Sequence, residues 1–114
     1  MVDDPRVALA QFGHDQDGIV SLYLFGSRAS GRAHRGSDID VAVFLDRKMY
    51  SDRGLRFDAR VRLTSLLIGA LRFNGVDLVI LNDVSPGFAR ASVTNGKRLF
   101  CATLRWTTPS FARR

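Results

Sequence analysis

Two aspartates two residues apart, Asp38 and Asp40, stand in an otherwise apolar run, DIDVAVFL, over 38–45. A strand repeats its side-chain direction every second residue, so both carboxylates face one side while Ile39, Val41, Val43 and Leu45 face the other, into a core. Like charges on one face repel and do not stabilise a strand. A divalent cation resolves the conflict, and oxygen ligands on a site shared with phosphates favour Mg²⁺. A plainer reading of the pair stays open, in which Asp38 caps the strand and Asp40 pairs with a nearby arginine. Asp77 follows Val76 near the start of a second apolar run, VDLVIL, with Leu78 and Ile80 on the opposite side.

Gly26-Ser27 ends the preceding apolar run, and the ten residues 28–37 separate it from Asp38. A glycine there lets backbone approach a phosphate closely, and Ser27 offers a hydroxyl and N–H donors. Arg28 and Arg32 add charge for a polyphosphate. A hairpin-like return from this loop would carry the polyphosphate over the two carboxylates. At average residue frequencies the spaced pattern G-S-x10-D-x-D arises by chance in roughly one chain in a thousand of this length, so the two halves are read together. The chain has no glutamate, and all 11 of its acidic residues are aspartates, so any carboxylate chemistry falls to Asp.

The elements that must position these groups follow from periodicity and punctuation. Residues 5–14 suit a short helix with Val7, Leu9, Ala10 and Phe12 as apolar positions, and Asp15–Gly18 is a turn signal. Residues 19–25 read as a strand buried on both faces, 26–37 as a loop, 38–45 as the second strand and 46–52 as a polar connection. From 53 to 73 the pattern is helical, with Leu55, Ala59, Leu63, Leu66, Leu67, Ala70 and Leu71 at apolar positions. Asn74-Gly75 suits a left-handed cap. Arg53, Arg56 and Arg60 share another face of that helix, which is either solvated or a dock for an acidic partner or nucleic acid.

Residues 76–81 form the third strand. Ser85-Pro86 is an N-cap followed by proline at the first helical position, opening a short helix that runs to Asn95-Gly96. Lys97–Thr103 is a short edge strand, and the last ten residues suit the start of a further helix. The expected fold class is α/β (α+β): a small mixed sheet of about four strands flanked by helices, in one domain over 1–114.

Composition narrows the class further. Apolar residues make up 46%, no stretch nears the run of about 20 needed to span a bilayer, and the acidic start, MVDDP, is unlike a signal peptide. One cysteine, Cys101, precludes an internal disulfide and fits a reducing, cytoplasmic setting; it reads as a small core residue. The charge of +6 comes from 15 arginines and two lysines, which suits phosphate-bearing or acidic partners or reflects a general bias toward arginine. His14 and His34 lack companions at metal-ligand spacing and read as surface residues. No G-x-x-x-x-G-K-[ST] loop is present.

The segment GSRASGRAHRGSDIDVAVFL resembles the signature of the DNA polymerase beta-like nucleotidyltransferase superfamily. Within it, the chain length and the VDLVIL strand are similar to the minimal nucleotidyltransferases (MNT, MntA-type). The resemblance spans roughly 19–100, with 25–44 its specific part, whereas SPGFARASVTNGKRLF matches only loosely. It implies the nucleotidyltransferase fold and a site with named roles. Asp38 and Asp40 would ligate two Mg²⁺ ions on the phosphates of ATP, and Asp77 would share the catalytic metal and orient or deprotonate the incoming hydroxyl. Gly26, Ser27 and Ser37 would bind the triphosphate, with Arg28 contributing. With no glutamate available, Asp77 is the strand-borne acid left to complete the triad.

The implied reaction transfers AMP from ATP to a hydroxyl, a tyrosine of a cognate HEPN-domain toxin, making the protein the antitoxin of a toxin–antitoxin pair. Two alternatives are an antibiotic-type enzyme acting on a small molecule and a non-catalytic nucleotide-binding or toxin-masking module. Nucleic acid ranks last as a primary partner, and no membrane partner is expected.

Overall fold

The computed structural model describes residues 4–26 and 38–102. Helix α1 (Pro5–Asp15) starts where Asp4 accepts the Arg6 N–H at 3.0 Å, with proline in the first turn. It leads into β1 (Ile19–Phe25), then β2 (Ile39–Leu45), helix α2 (Arg53–Leu71), β3 (Val76–Ile80), a single 3₁₀ turn (Leu81–Asp83), helix α3 (Pro86–Asn95) and β4 (Lys97–Cys101). Asp52 caps α2 by accepting the Leu55 N–H at 2.8 Å. Ser85 caps α3 through Phe88 at 3.2 Å with Pro86 at the first helical position, as its sequence signal predicts.

The four strands form one mixed sheet in the order β3-β2-β1-β4. β1 runs antiparallel to β2 and to β4, whereas β2 and β3 are parallel and are linked through α2. The period-two alternation divides the sheet into two faces. Leu22 and Leu24, with Ile39, Val41, Val43, Leu45, Leu78 and Ile80, pack in one cluster with Leu9 and Phe12 of α1 and Ala59, Leu63, Leu67 and Leu71 of α2. The opposite face carries a smaller cluster of Tyr23, Ala42 and Leu81, with Phe25, Phe44, Val79, Val84 and Ala89 partly buried against it. Among the described residues no helix is long and apolar enough to cross a membrane.

Several boundaries differ from those expected, each for a local reason. Helix α2 ends at Leu71, and the left-handed cap is Arg72 (φ 54°, ψ 43°) rather than Asn74-Gly75. The chain must leave the helix early enough for the Gly75 carbonyl to accept the Ile39 N–H at 2.7 Å, the bond that aligns β3 with β2. The buried stripe of α2 is narrow, a single ridge at four-residue spacing; Leu55 (44%) and Leu66 (43%) are exposed, as are Ala70 and, on α1, Val7. β4 ends at Cys101, which is only half-buried because it lies on an edge strand. Thr103 and the last ten residues lie outside the described residues.

β3 also stops one residue early, at Ile80, because Asn82 turns back onto β2. Its Oδ1 accepts the Leu45 N–H at 2.8 Å and its Nδ2 donates to the Leu45 carbonyl at 3.0 Å, so one side chain reproduces a strand pairing. Asn82→Ala is expected to lower unfolding stability by about 1–2 kcal/mol by leaving both Leu45 backbone groups without this partner. Urea denaturation measures the loss, and a midpoint unchanged from wild type would contradict the role.

Candidate functional site

Three strand ends meet at one side of the sheet. Antiparallel pairing sets Phe25, the last residue of β1, opposite Asp40 near the start of β2. Parallel pairing sets Asp40 beside Asp77 near the start of β3. Directly paired residues on neighbouring strands share a face at a spacing of about 4.8 Å, so Asp40 and Asp77 point the same way, away from the core that holds Ile39, Val41, Leu78 and Ile80. Asp38 lies one residue before β2, not within it as expected, and is exposed.

Two glycines make room for these carboxylates. Gly26 follows β1 with φ +77°, and a Cβ added there would fall on Oδ2 of Asp40. At Gly75 an added Cβ would lie 2.9 Å from Oδ1 of Asp38 and 2.8 Å from the Phe73 ring. Asp40 therefore leans toward the end of β1, while Asp38 leans toward the turn that precedes β3. Like charges that lean apart reduce their repulsion. Among the described residues no three His, Cys, Asp or Glu side chains close on a single metal position, so the three aspartates form an open arrangement.

The electrostatics identify Asp40 as the strained member. Its carboxyl is pushed above its ordinary value of 3.8, chiefly by burial and then by the charges of Asp77 and Asp38. Among the described residues no cationic side chain relieves it. The ion pairs found there are Arg6–Asp4, His14–Asp15 and the pairing of Arg53 and Arg56 with Asp83. The expected alternative of an Asp40–arginine pair thus has no support within that set. Among the described residues the donor set is all carboxylate oxygen, with neither thiol nor imidazole beside it, and suits a hard cation such as Mg²⁺ rather than zinc.

Of the residues singled out from sequence, the fold brings Gly26, Asp38, Asp40 and Asp77 to one end of the sheet. Ser27, Arg28, Arg32, His34 and Ser37 lie outside the described residues. His14 is exposed, as expected, and its ring stands edge-on to Phe100 with centroids 6.4 Å apart.

The arginine stripe of α2 is not a uniformly solvated face. Arg56 binds Asp83 through Nε at 2.9 and 3.0 Å and through a terminal nitrogen at 2.9 Å, and it donates to the Tyr50 carbonyl at 3.1 Å. The Asp83 hydrogen bond raises the Arg56 pKa further. Arg60 donates from Nε to the Leu78 carbonyl at 3.0 Å. Arg53 is 80% exposed and 3.9 Å from Asp83, Arg60 is exposed despite its bond to Leu78, and Arg56 is the half-buried member of the three. Helical periodicity places these three together but carries no signal for partners 18 and 27 residues away. The contact of Gly75 with Asp38 was likewise invisible, because a glycine before a strand reads only as a turn.

Comparison with known proteins identifies a family and related folds. A family model described as polymerase beta, nucleotidyltransferase, matches residues 8–104. The protein adenylyltransferase MntA of Shewanella oneidensis is 38% identical over 79 residues, 69% of this chain and 52% of the relative. The chain thus spans about half the length of that curated relative. A crystal structure of a toxin–antitoxin with AMP-PNP contains a similar chain, 33% identical, with a TM-score of 0.67 over 88% of this chain and 76% of that one. A chain of the complex between tri-AMPylated Shewanella oneidensis HEPN toxin and MNT antitoxin is 27% identical, with a TM-score of 0.58 over 89% of this chain and 73% of that one.

Proposed function

The chain belongs to the polymerase beta nucleotidyltransferase family, and from that premise we propose that it transfers AMP from ATP to a hydroxyl, namely a tyrosine of a cognate HEPN-domain toxin. The observation that carries the proposal is the meeting of Asp38, Asp40 and Asp77 with Gly26 at one end of the sheet. The acceptor is drawn from the similar chains, which belong to a toxin–antitoxin with AMP-PNP and to a complex holding an AMPylated HEPN toxin. The single cysteine and the absence of a membrane-crossing helix among the described residues accord with action in the cytoplasm.

In this reading Asp40 and Asp77, side by side on paired strands, and Asp38 beside them would hold two Mg²⁺ ions. Bound magnesium supplies neutralisation of the triphosphate charge and polarisation of the reacting groups. Gly26 lets the backbone after β1 approach the triphosphate without a side chain in the way, while Ser27 and Ser37 donate to its oxygens and Arg28 adds charge. Asp77, on the outer strand, is the carboxylate open to an incoming hydroxyl. It orients that hydroxyl and takes its proton as the acceptor oxygen bonds to the α-phosphorus. The bond from that phosphorus to the bridging oxygen breaks in line, and pyrophosphate leaves. Most of the acceleration comes from positioning and charge neutralisation, which fits a site built of carboxylates and backbone donors.

Incubation of the protein with ATP labelled on its α-phosphate, Mg²⁺ and the product of the adjacent reading frame as the candidate HEPN-domain toxin tests the proposal. Label is expected on the toxin with wild-type protein and not with Asp38→Asn. Absence of transfer by the wild type, or equal transfer by Asp38→Asn, overturns it. Full neutralisation of the toxin by an Asp38→Asn, Asp40→Asn double variant supports the masking reading instead.

A further inference from the structure

We infer that Arg60 is a positioning residue, whose bond to the outer edge of β3 holds Asp77 in register beside Asp40. The inference rests on the reading of Asp77 as a carboxylate of the site. β3 has only five residues and, among the described residues, is an edge strand paired to β2 alone. Short strands paired on one side open easily, yet this one carries the third aspartate as its second residue. The charges of Asp40 and Asp77 on paired positions push the two strand starts apart.

The packing of Leu78 and Ile80 into the core holds β3 down onto α2 and sets which of its residues face inward. A directional hydrogen bond adds a fixed point along the strand axis. The Gly75 carbonyl faces β2, where it accepts the Ile39 N–H. The alternation of a parallel ladder then turns the Leu78 carbonyl outward, to the unpaired edge. Arg60 Nε donates to that carbonyl at 3.0 Å, one residue beyond Asp77. At the far end of the strand, Arg56 grips Asp83 just after Asn82 has closed onto Leu45. Helix α2 is thereby fastened along β3 at two points. The Arg60 point is the one next to the site, and its donor is charged and planar, which strengthens and aims the bond.

The test compares Arg60→Ala, Arg60→Gln and Arg60→Lys in the full chain, with Arg62→Ala as control. Arg62 lies on the same helix and donates to the Tyr50 hydroxyl at 2.8 Å, away from β3. Three readouts are taken: amide exchange of residues 76–80 without metal, Mn²⁺ binding measured directly by its electron spin resonance, and the steady-state constants for ATP. Arg60→Ala and Arg60→Gln are expected to speed exchange in β3 and to weaken Mn²⁺ binding. They are also expected to lower kcat roughly 10- to 100-fold while KM for ATP changes by no more than about threefold. Arg60→Lys is expected to recover much of each, because an ammonium can reach the same carbonyl. Arg62→Ala is expected to lower Tm and leave the three readouts near wild type.

Wild-type β3 exchange, Mn²⁺ affinity and kcat in Arg60→Ala, or the same changes in Arg62→Ala, overturn the inference. Asp77→Asn with wild-type Mn²⁺ affinity and kcat overturns the reading beneath it. Loss in Asp77→Asn with none in Arg60→Ala rejects the positioning role alone.

Discussion

Asp40→Asn is expected to reduce AMP transfer roughly 10²- to 10³-fold and, in the metal-free protein at pH 7, to raise Tm. The loss of activity follows because an amide keeps the shape but removes the charge that would hold a cation against the triphosphate. The gain in stability follows from the raised carboxyl, which burial and then Asp77 and Asp38 hold above 3.8. A folded-state value above the unfolded one means that the folded protein binds the proton more tightly. Below 3.8 both states are protonated and nothing is lost. As pH rises from there through the raised folded value, the wild type loses stability, and the loss then stays constant to neutral pH.

An amide at this position does not titrate and carries no such loss. Among the described residues, moreover, the wild-type carboxylate has no hydrogen-bond or ion-pair partner to forfeit. Water screens a partly exposed group, so the gain is small, and it is the sign of the Tm difference that is read. Paired thermal melts of wild type and variant from pH 3 to 8 in EDTA measure it. The difference should be present at pH 7 and vanish toward pH 3, and saturating Mg²⁺ with ATP should reverse its sign by stabilising only the wild type. A variant less stable than wild type in EDTA at pH 7 would show that the carboxylate is compensated after all.

Gly26→Ala is the second large effect, because it acts on the backbone and on the site at once. A φ of +77° is open to glycine and costs another L-residue about 1–2 kcal/mol. The added methyl also falls on Oδ2 of Asp40, with Cγ of the same residue 3.3 Å away. Either the carboxylate rotates away or the end of β1 shifts, and both change the placing of the Asp40 carboxylate relative to the end of β1. Transfer is expected to fall roughly 100-fold or more, with a Tm loss of about 5–10 °C.

The two causes separate in a double-mutant cycle. In an Asp40→Ala background the methyl no longer meets a carboxylate, so Gly26→Ala should cost only its backbone share. Strict additivity of the two substitutions in urea denaturation would show that the contact with Asp40 contributes nothing.

How much of this was legible in advance depends on the range of the interaction. The alternation of DIDVAVFL correctly assigned Ile39, Val41, Val43 and Leu45 to the core, and all four are almost fully buried. The Ser85-Pro86 cap was legible for the same reason, since its hydrogen bond spans three residues. The end of α2 was not, because Gly75 is recruited to pair with Ile39, 36 positions back. The stripe of Arg53, Arg56 and Arg60 was seen as a stripe, yet its meaning came from Asp83 and Leu78, which no helical period can reveal.

The loop and strand aspartates show the same division. Sequence alone grouped Gly26, Asp38, Asp40 and Asp77 as candidates for carboxylate chemistry on a phosphate, since residue types, a ten-residue spacing and the absence of glutamate are properties of the chain itself, while it left a strand cap and an arginine pair open as the plainer reading. Alternation also settled that Asp40 faces away from the core. Only the tertiary structure decided that Asp77 is the direct neighbour of Asp40, because a parallel register is set by the crossover helix and the packing beneath it rather than by either strand. It also decided that Gly26 must be a glycine for Asp40 to keep its place. Charge repulsion and steric exclusion act across space, and their partners exist only once the chain has folded.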